Sequence, residues 1–260
     1  MMIKLEDDIL ELEGIEEYRR KRCDTYKWDN LGIPRVTNII ETCSDNKYLI
    51  NWAARLGYQG YAIETKKATT IGSRVHEMIE NYLLNGNDLD VSFKTPPSYM
   101  RYILQSYQNF KNWFLFLASM GYNIEVLAIE KELVCPWYGG TCDGIVNING
   151  KNYIIDFKTS KKISPSYILQ ICAYMWIINS GYVNNIPHID GVGIIRGDKE
   201  KEKFEDYFLN ESYSNDANII RSFQETFFEY VNVFYRNINI DQIFRDHKKQ
   251  YTLKDALERE

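Results

Sequence analysis

Asp143, Asp156 and Lys158 are the residues of this sequence whose types and spacing can do chemistry together. They flank Asn149-Gly150. Between two apolar runs, Asn-Gly is the strongest short-range hairpin signal, because both central residues of a type I′ turn need positive φ. With a two-residue loop, Ile148 faces Lys151 and paired residue numbers sum to 299. Asp143 and Asp156 also sum to 299, so the spacing predicts cross-strand partners on one face, their Cβ atoms roughly 4.5–5.5 Å apart. Lys158 lies two residues beyond Asp156, which puts it on the same face.

The remaining residues of both strands are apolar (Ile145, Val146, Ile148, Tyr153, Ile154, Ile155, Phe157), the pattern of strands covered on both sides. Two carboxylates facing each other there repel, and each costs several kcal/mol of desolvation if left unpaired. Either one acid is protonated, or Lys158 neutralises the pair, or a cation lies between them. One lysine cannot cancel two charges, whereas a divalent cation can, and oxygen ligands suit magnesium or manganese. A buried structural ion network is the plainer alternative. A metal beside a lysine suits phosphate-ester hydrolysis: the metal activates a bound water, and the lysine orients that water and offsets developing negative charge.

The elements that must position these residues are legible in outline. Residues 1–20 are charged, with Leu10, Leu12 and Ile15 as anchors of a peripheral arm or helix. Short extended pieces are expected at Cys23–Trp28 and Gly32–Val36, with Thr37 capping a helix that runs toward Cys43. A further helix carries Tyr48, Leu49, Trp52, Ala53 and Leu56 and ends at Gly57. From Ile71 to Leu84 the apolar residues Val75, Met78, Ile79, Tyr82 and Leu83 recur at helical spacing, with Asn85-Gly86 as a stop. A helix from Tyr99 to Leu117, a strand at Ile124–Val134, the hairpin and a buried helix at Ser166–Ile178 follow. Strands at Gly191–Arg196 and Phe204–Leu209 precede an aromatic amphipathic helix (Ile219, Phe223, Phe227, Tyr230, Phe234). This order predicts an α/β or α+β domain with a mixed sheet.

The 260 residues suffice for a full core. A net charge of -5 is not that of a protein coating duplex DNA, so any nucleic-acid contact must come from a local basic channel. Basic residues gather at Lys66-Lys67 and at Lys158, Lys161 and Lys162, while Glu6 to Glu17 is acidic. Five dispersed cysteines without C-x-x-C spacing argue for a reducing compartment and against a zinc ribbon. No apolar run reaches membrane-spanning length, and the N-terminus resembles no targeting peptide. The chain reads as soluble and cytoplasmic (the host cytoplasm, were it phage-encoded), with no membrane partner. An Asn-, Ile-, Lys- and Tyr-rich composition points to an AT-rich bacterial or phage genome.

Four stretches resemble the motifs of the PD-(D/E)XK nuclease superfamily, RecB-like branch: Gly72-Ser-Arg-Val-His76-Glu, Gly139-Gly-Thr-Cys-Asp143, Asp156-Phe-Lys158-Thr159 and Gln170-x-x-x-Tyr174. Their order and spacing match over about residues 70–180. A weaker likeness at Ile33-Pro-Arg-Val-Thr37 and Trp52 is to mitochondrial genome maintenance exonuclease and related phage exonucleases, which carry Ser where this chain has Arg35. The resemblance implies a restriction-endonuclease-like α/β core, a central mixed β-sheet flanked by helices, over residues 71–260. Residues 1–70 would form an N-terminal arm and helical extension packed on it as one compact unit. It implies His76, Asp143, Asp156 and the Phe157 carbonyl as metal ligands and Lys158 as the catalytic lysine. Gln170 and Tyr174 would brace the site or touch the DNA backbone, with Thr159, Ser160, Arg35 and Thr37 as further DNA contacts. Glu80, one turn beyond His76, and Glu130, on the preceding strand, are acids that can support the metal.

The activity implied is magnesium- or manganese-dependent DNA hydrolysis from single-stranded ends, in replication, recombination or repair and with proteins of those processes as partners. Tyr48, Trp52, Tyr58 and Tyr61 offer rings on which bases can stack. A structure-specific endonuclease and a non-catalytic DNA-binding accessory protein are the alternatives. No iron–sulfur cluster is expected, because Cys172, inside the motif region, is the last cysteine.

Overall fold

Two short strands, β1 (Tyr26–Trp28) and β2 (Leu31–Ile33), precede helices α1 (Val36–Cys43), α2 (Lys47–Asn85) and α3 (Pro97–Ser119). A meander of β3 (Ile124–Val134), β4 (Gly139–Ile148) and β5 (Lys151–Lys158) follows. The chain then forms α4 (Pro165–Asn179), β6 (Gly191–Gly197), β7 (Phe204–Asn210) and α5 (Ser214–Gln250). The computed structural model describes residues 26–29, 31–44 and 47–250, so the expected N-terminal arm and Cys23 lie outside the described residues.

The sheet has the order β3-β4-β5-β6-β7. The meander and the β6–β7 pair are antiparallel, while β5 and β6 run parallel across the α4 crossover. The protein is therefore α/β, with a mixed five-stranded sheet flanked by helices on both faces. One core cluster joins Ile145, Ile154, Val192 and Ile194 to α1, α4 and α5. The other joins Val146, Ile148, Ile155, Phe157 and Ile195 to α2 and α3. Alternate β5 residues thus feed opposite cores, as the strand period requires.

The hairpin forms in the expected register. Asn149 and Gly150 take φ of 50° and 83°, and the pairs from Ile148↔Lys151 to Gly144↔Ile155 all sum to 299. At the start of α4, Pro165 occupies the first turn and Ser164 accepts from the Ser166 N–H, a pairing that pre-sets φ and satisfies an end donor.

Three expectations for the first half change. Thr37 lies inside α1, whose N-cap is Arg35 with no side-chain cap bond. The helix expected to end at Gly57 does so, at non-helical backbone (φ 68°, ψ 169°), but the helix after it begins at once and not at residue 71, and runs to Asn85. Residues 58–70 carry no apolar stripe for periodicity to detect, but Gln59, Ala62, Glu64, Lys66, Lys67 and Ala68 are good helix formers. The division expected at residue 70 accordingly falls within a continuous helix. Among the described residues no helix is long and apolar enough to cross a membrane.

Gly191 shows how closely β6 is seated. A Cβ there would lie 2.2 Å from the Leu209 carbonyl oxygen and 2.7 Å from the Tyr153 ring. Gly191→Ala is expected to cost about 1–3 kcal/mol in denaturant unfolding; an unchanged midpoint would contradict this packing.

Candidate metal centre

The β4–β5 ladder ends at Gly144↔Ile155, one rung short of the expected Asp143–Asp156 pair. Beyond it β4 stays with β3 as far as Val134↔Gly139, so the sheet forks. Two irregularities accompany the fork. Glu130 on β3 takes φ of 45°, a left-handed conformation that non-glycine residues seldom adopt, and the Glu130–Asp143 rung is missing from the β3–β4 ladder. On β4, Cys142 and Ile145 both enter the core on the α4/α5 side, which breaks the two-residue alternation at Asp143.

The fork leaves the peptide edge of Phe157 without a strand partner, and two side chains take its place. The Phe157 N–H donates to Asp143 Oδ2 at 2.6 Å, and the Phe157 carbonyl oxygen lies 2.8 Å from His76 Nε2. His76 projects from α2, next to Val75, Met78 and Ile79, which bury the helix against the sheet. Its Nδ1 lies 3.5 Å from Asp143 Oδ1. One ligand atom from each of His76, Glu130 and Asp143 falls within 4.8 Å of the others.

Asp156 takes a different partner. It is 2% exposed, and its Oδ2 lies 2.7 Å from Lys158 Nζ. That contact is a close ion pair without hydrogen-bond alignment, since the same oxygen has no hydrogen-bond partner. Lys158 also donates to Gln170 Oε1 at 3.4 Å and sits 4.7 Å from the centre of the Tyr167 ring. Gln170 in turn donates to the Tyr174 hydroxyl at 3.3 Å. The two aspartates therefore do not simply share one face: Asp143 turns to His76 of α2, and Asp156 pairs with the lysine that α4 holds.

The electrostatics follow from this crowding. Burial opposes the charged imidazole of His76, but the Asp143 carboxylate outweighs it and lifts the pKa to about 9. Burial pushes Asp143 up, yet His76, Lys158 and the Phe157 N–H hold it below the usual range. For Asp156, burial is opposed by Lys158 and reinforced by Asp143, which leaves it at about 6. Burial would lower Lys158, but Asp156 and Asp143 keep it raised. Glu130 is raised by burial and then by Asp143.

A cavity of about 590 Å³ opens on this cluster, and its lining includes His76, Glu80, Glu130, Lys158, Thr159 and Ser160. The structure thus brings together most of the residues singled out in the sequence. Tyr174 is 3% exposed and sits against Gly140, where a Cβ would come within 2.2 Å of its hydroxyl. That leaves it the bracing role and not a DNA contact. Arg35 is not among the residues that line this cavity; its backbone bridges Gly139 and its guanidinium lies 5.7 Å from the Tyr26 ring centre. Thr37 faces a second cavity, shared with Tyr167 and Gln170. Trp52 and Tyr61 meet edge to face at 5.4 Å, while Tyr58 is 89% exposed.

Sequence reasoning passed over Tyr167, Arg196 and Lys199. Tyr167, Gln170 and Tyr174 form one helical stripe (i, i+3, i+7), a signal that was available. Arg196, 2% exposed, stands beside Lys158 in the β5–β6 register and donates to the Ser160 carbonyl at 3.0 Å; no local pattern announces that.

No protein-family model matches the chain, and no curated protein matches it. A solved structure of SSO0001 is similar over 66% of this chain and 87% of that one, at 16% identity and a TM-score of 0.26. A likeness of that degree carries no argument.

The raised His76 pKa has a consequence for the metal-free protein. The folded state holds this proton more tightly than the unfolded chain, so the stability it contributes is present below pH 6.5 and lost as pH rises through about 9. Thermal melts across this window in chelator are expected to fall in Tm, and His76→Ala to flatten that fall. An identical slope in the variant would contradict the His76–Asp143 pairing.

Proposed function

We propose that this chain is a divalent-metal-dependent deoxyribonuclease with a PD-(D/E)XK core of the RecB-like type, hydrolysing phosphodiester bonds from single-stranded ends. The observation that carries the proposal is the Phe157 peptide edge, flanked by His76 and Asp143 and followed immediately by Lys158.

The residues present fit a cation. The carboxylates and the carbonyl oxygen suit magnesium or manganese, the imidazole favours manganese of the two, and the absence of a thiolate from the donor set disfavours thiolate-seeking metals. His76 Nε2 and the Phe157 oxygen already lie 2.8 Å apart, and one ligand atom from each of His76, Glu130 and Asp143 falls within 4.8 Å of the others, so the donors are gathered in one place. His76, Asp143, Asp156 and the Phe157 carbonyl would hold the ion, with Glu130 beside them. When bound, the ion would lower the pKa of a coordinated water and stabilise charge on the phosphoryl oxygens.

The protein's own groups do the rest. Lys158 keeps its charge at neutral pH, so it acts as a fixed cation that orients the water and offsets charge on the phosphate. Gln170 and the Tyr167 ring hold the lysine from the α4 side, and Tyr174 holds Gln170. Arg196 fixes the Ser160 carbonyl just beyond the lysine. The spatial order of acid, carbonyl and lysine along one strand end matches the roles that the motif resemblance assigns.

With magnesium, the purified protein is expected to degrade end-labelled linear single-stranded DNA and to leave a single-stranded circle intact. Asp156→Ala or Lys158→Ala should lower the rate at least a thousandfold, in line with roughly 10²–10³ for loss of one stabilising donor alone. Full activity in either variant would overturn the mechanism. Cleavage of the circle would make the protein an endonuclease of the same chemistry.

A further inference from the structure

The β6–β7 turn at residues 198–203 lies on the surface, yet buried polar groups hold it from several directions. Asn109, fully buried, donates to the carbonyls of Asp198 and Lys201, both at 2.7 Å. Ser106, 1% exposed, donates to the Gly197 carbonyl at 2.8 Å. Arg196 pairs with Asp198 at 3.3 Å and with Glu205 at 2.9 Å. Asp198 Oδ1 also accepts the N–H groups of Glu200 and Lys201. Three of the six buried polar or charged residues among those described are thus committed to one turn. Such groups are costly to bury and so fix geometry where they occur.

What the turn presents is Lys199. This side chain lines the cavity of the metal centre, opposite α2. It also lines a neighbouring cavity of about 360 Å³ with Arg101, Tyr102, Gln105 and Glu200. Arg101 and Tyr102 in turn line a third, of about 450 Å³, with Lys67 and Tyr99. Neighbouring cavities share lining residues, Lys199 between the first and second and Arg101 and Tyr102 between the second and third, so we read them as one groove leading away from the site. At its far end Arg101 and Lys67 flank the Tyr102 ring, 4.5 Å and 4.7 Å from its centre. Among the described residues neither Lys67 nor Lys199 makes a salt bridge. Glu200 is the acid that borders the middle of the groove. The cavity on the other side of Tyr167 is different: its lining holds Glu41 and no lysine or arginine.

We propose that this groove is the path of the single-stranded DNA, with Lys199 taking a phosphate adjacent to the one hydrolysed and Arg101 and Lys67, both held over the Tyr102 ring, taking phosphates farther along. The proposal rests on the nuclease reading above. Cations spaced along a groove that tracks the backbone are what sequence-independent strand binding needs, phosphates meeting the charges. In a chain of net charge -5, such a local track is also the means by which a polyanion can be held at all. Lys199 and Arg101 are positioning residues here; neither touches the scissile bond.

The test measures KM and kcat on a fluorescent 20-nucleotide strand with magnesium, and binding anisotropy with calcium replacing magnesium, over a series of salt concentrations. Lys199→Gln and Arg101→Gln should each raise Kd and KM about threefold to tenfold with kcat nearly unchanged. Each should also flatten the slope of log K against log salt by about 0.7, the value for one phosphate contact on a single strand. Tyr102→Ala, which removes the ring that holds Arg101 and Lys67, should weaken binding, and Tyr102→Phe, which keeps the ring, should restore it. A dinucleotide too short to reach Arg101 should not distinguish Arg101→Gln from wild type. Arg221→Gln, exposed on α5, is the control and should change nothing. Wild-type Kd and salt slope in both charge variants, in a protein that degrades the strand, would overturn the groove and leave the nuclease reading intact. A wild-type protein that neither binds nor cuts single strands would overturn the reading on which the groove depends.

Discussion

A peptide group at the end of a strand must find partners for its N–H and C=O, and Phe157 finds them in two side chains instead of a neighbouring strand. A buried backbone pair left unsatisfied would cost roughly 1–3 kcal/mol per group. Where β4 parts from β5, one carboxylate and one imidazole meet that demand, drawn from β4 and from α2. The same requirement brings His76 and Asp143 within reach of each other and leaves the carbonyl oxygen pointing into the cavity. The site is thus a product of the forked sheet, and the helices on either side are placed to close it: α2 supplies His76, and α4 supplies Gln170 against Lys158.

The charges around that peptide do not balance without help. Asp143, Asp156 and Glu130 crowd one another, and among the described residues Lys158 and a protonated His76 are the cations that pair with the two aspartates. The strain shows in the groups themselves, for Asp156 is pushed to about 6 and His76 to about 9. Both groups hold a proton to higher pH than they would in water, which is how a protein lessens an excess of buried negative charge. A divalent cation would do the same work and would return both groups to the states that ligation requires. Shifts of this kind mark binding sites and buried ion networks alike.

Much of this was legible in the sequence, and the limits have physical causes. Asn149-Gly150 determined the hairpin register because the turn type leaves little freedom, and five rungs follow it. The order of helices and strands came through because their apolar periods are strong. The fork did not, since it depends on the backbone of Glu130 adopting φ of 45° and on Asp143 leaving its rung, neither of which a two-residue alternation can reveal. Residues 58–70 of α2 were missed because a helix polar on all sides has propensity but no stripe. The clamp on the 198–203 turn was missed because its donors, Ser106 and Asn109, lie some 90 residues away along the chain. Local pattern reports local geometry, and the groove beside the site is assembled from distant segments.

Occupancy of the fork's end by a cation separates a metal centre from a structural ion network. Anomalous diffraction from crystals soaked in manganese would decide it most directly. A single peak about 2.1–2.3 Å from the Phe157 carbonyl oxygen, a His76 nitrogen and a carboxylate oxygen of Asp143, with Asp156 drawn toward it, is the predicted result. Density without a peak there, with His76 still bonded to Phe157 and Asp156 still paired to Lys158 at saturating manganese, would contradict it. The cluster would then be a buried ion network that holds the sheet together.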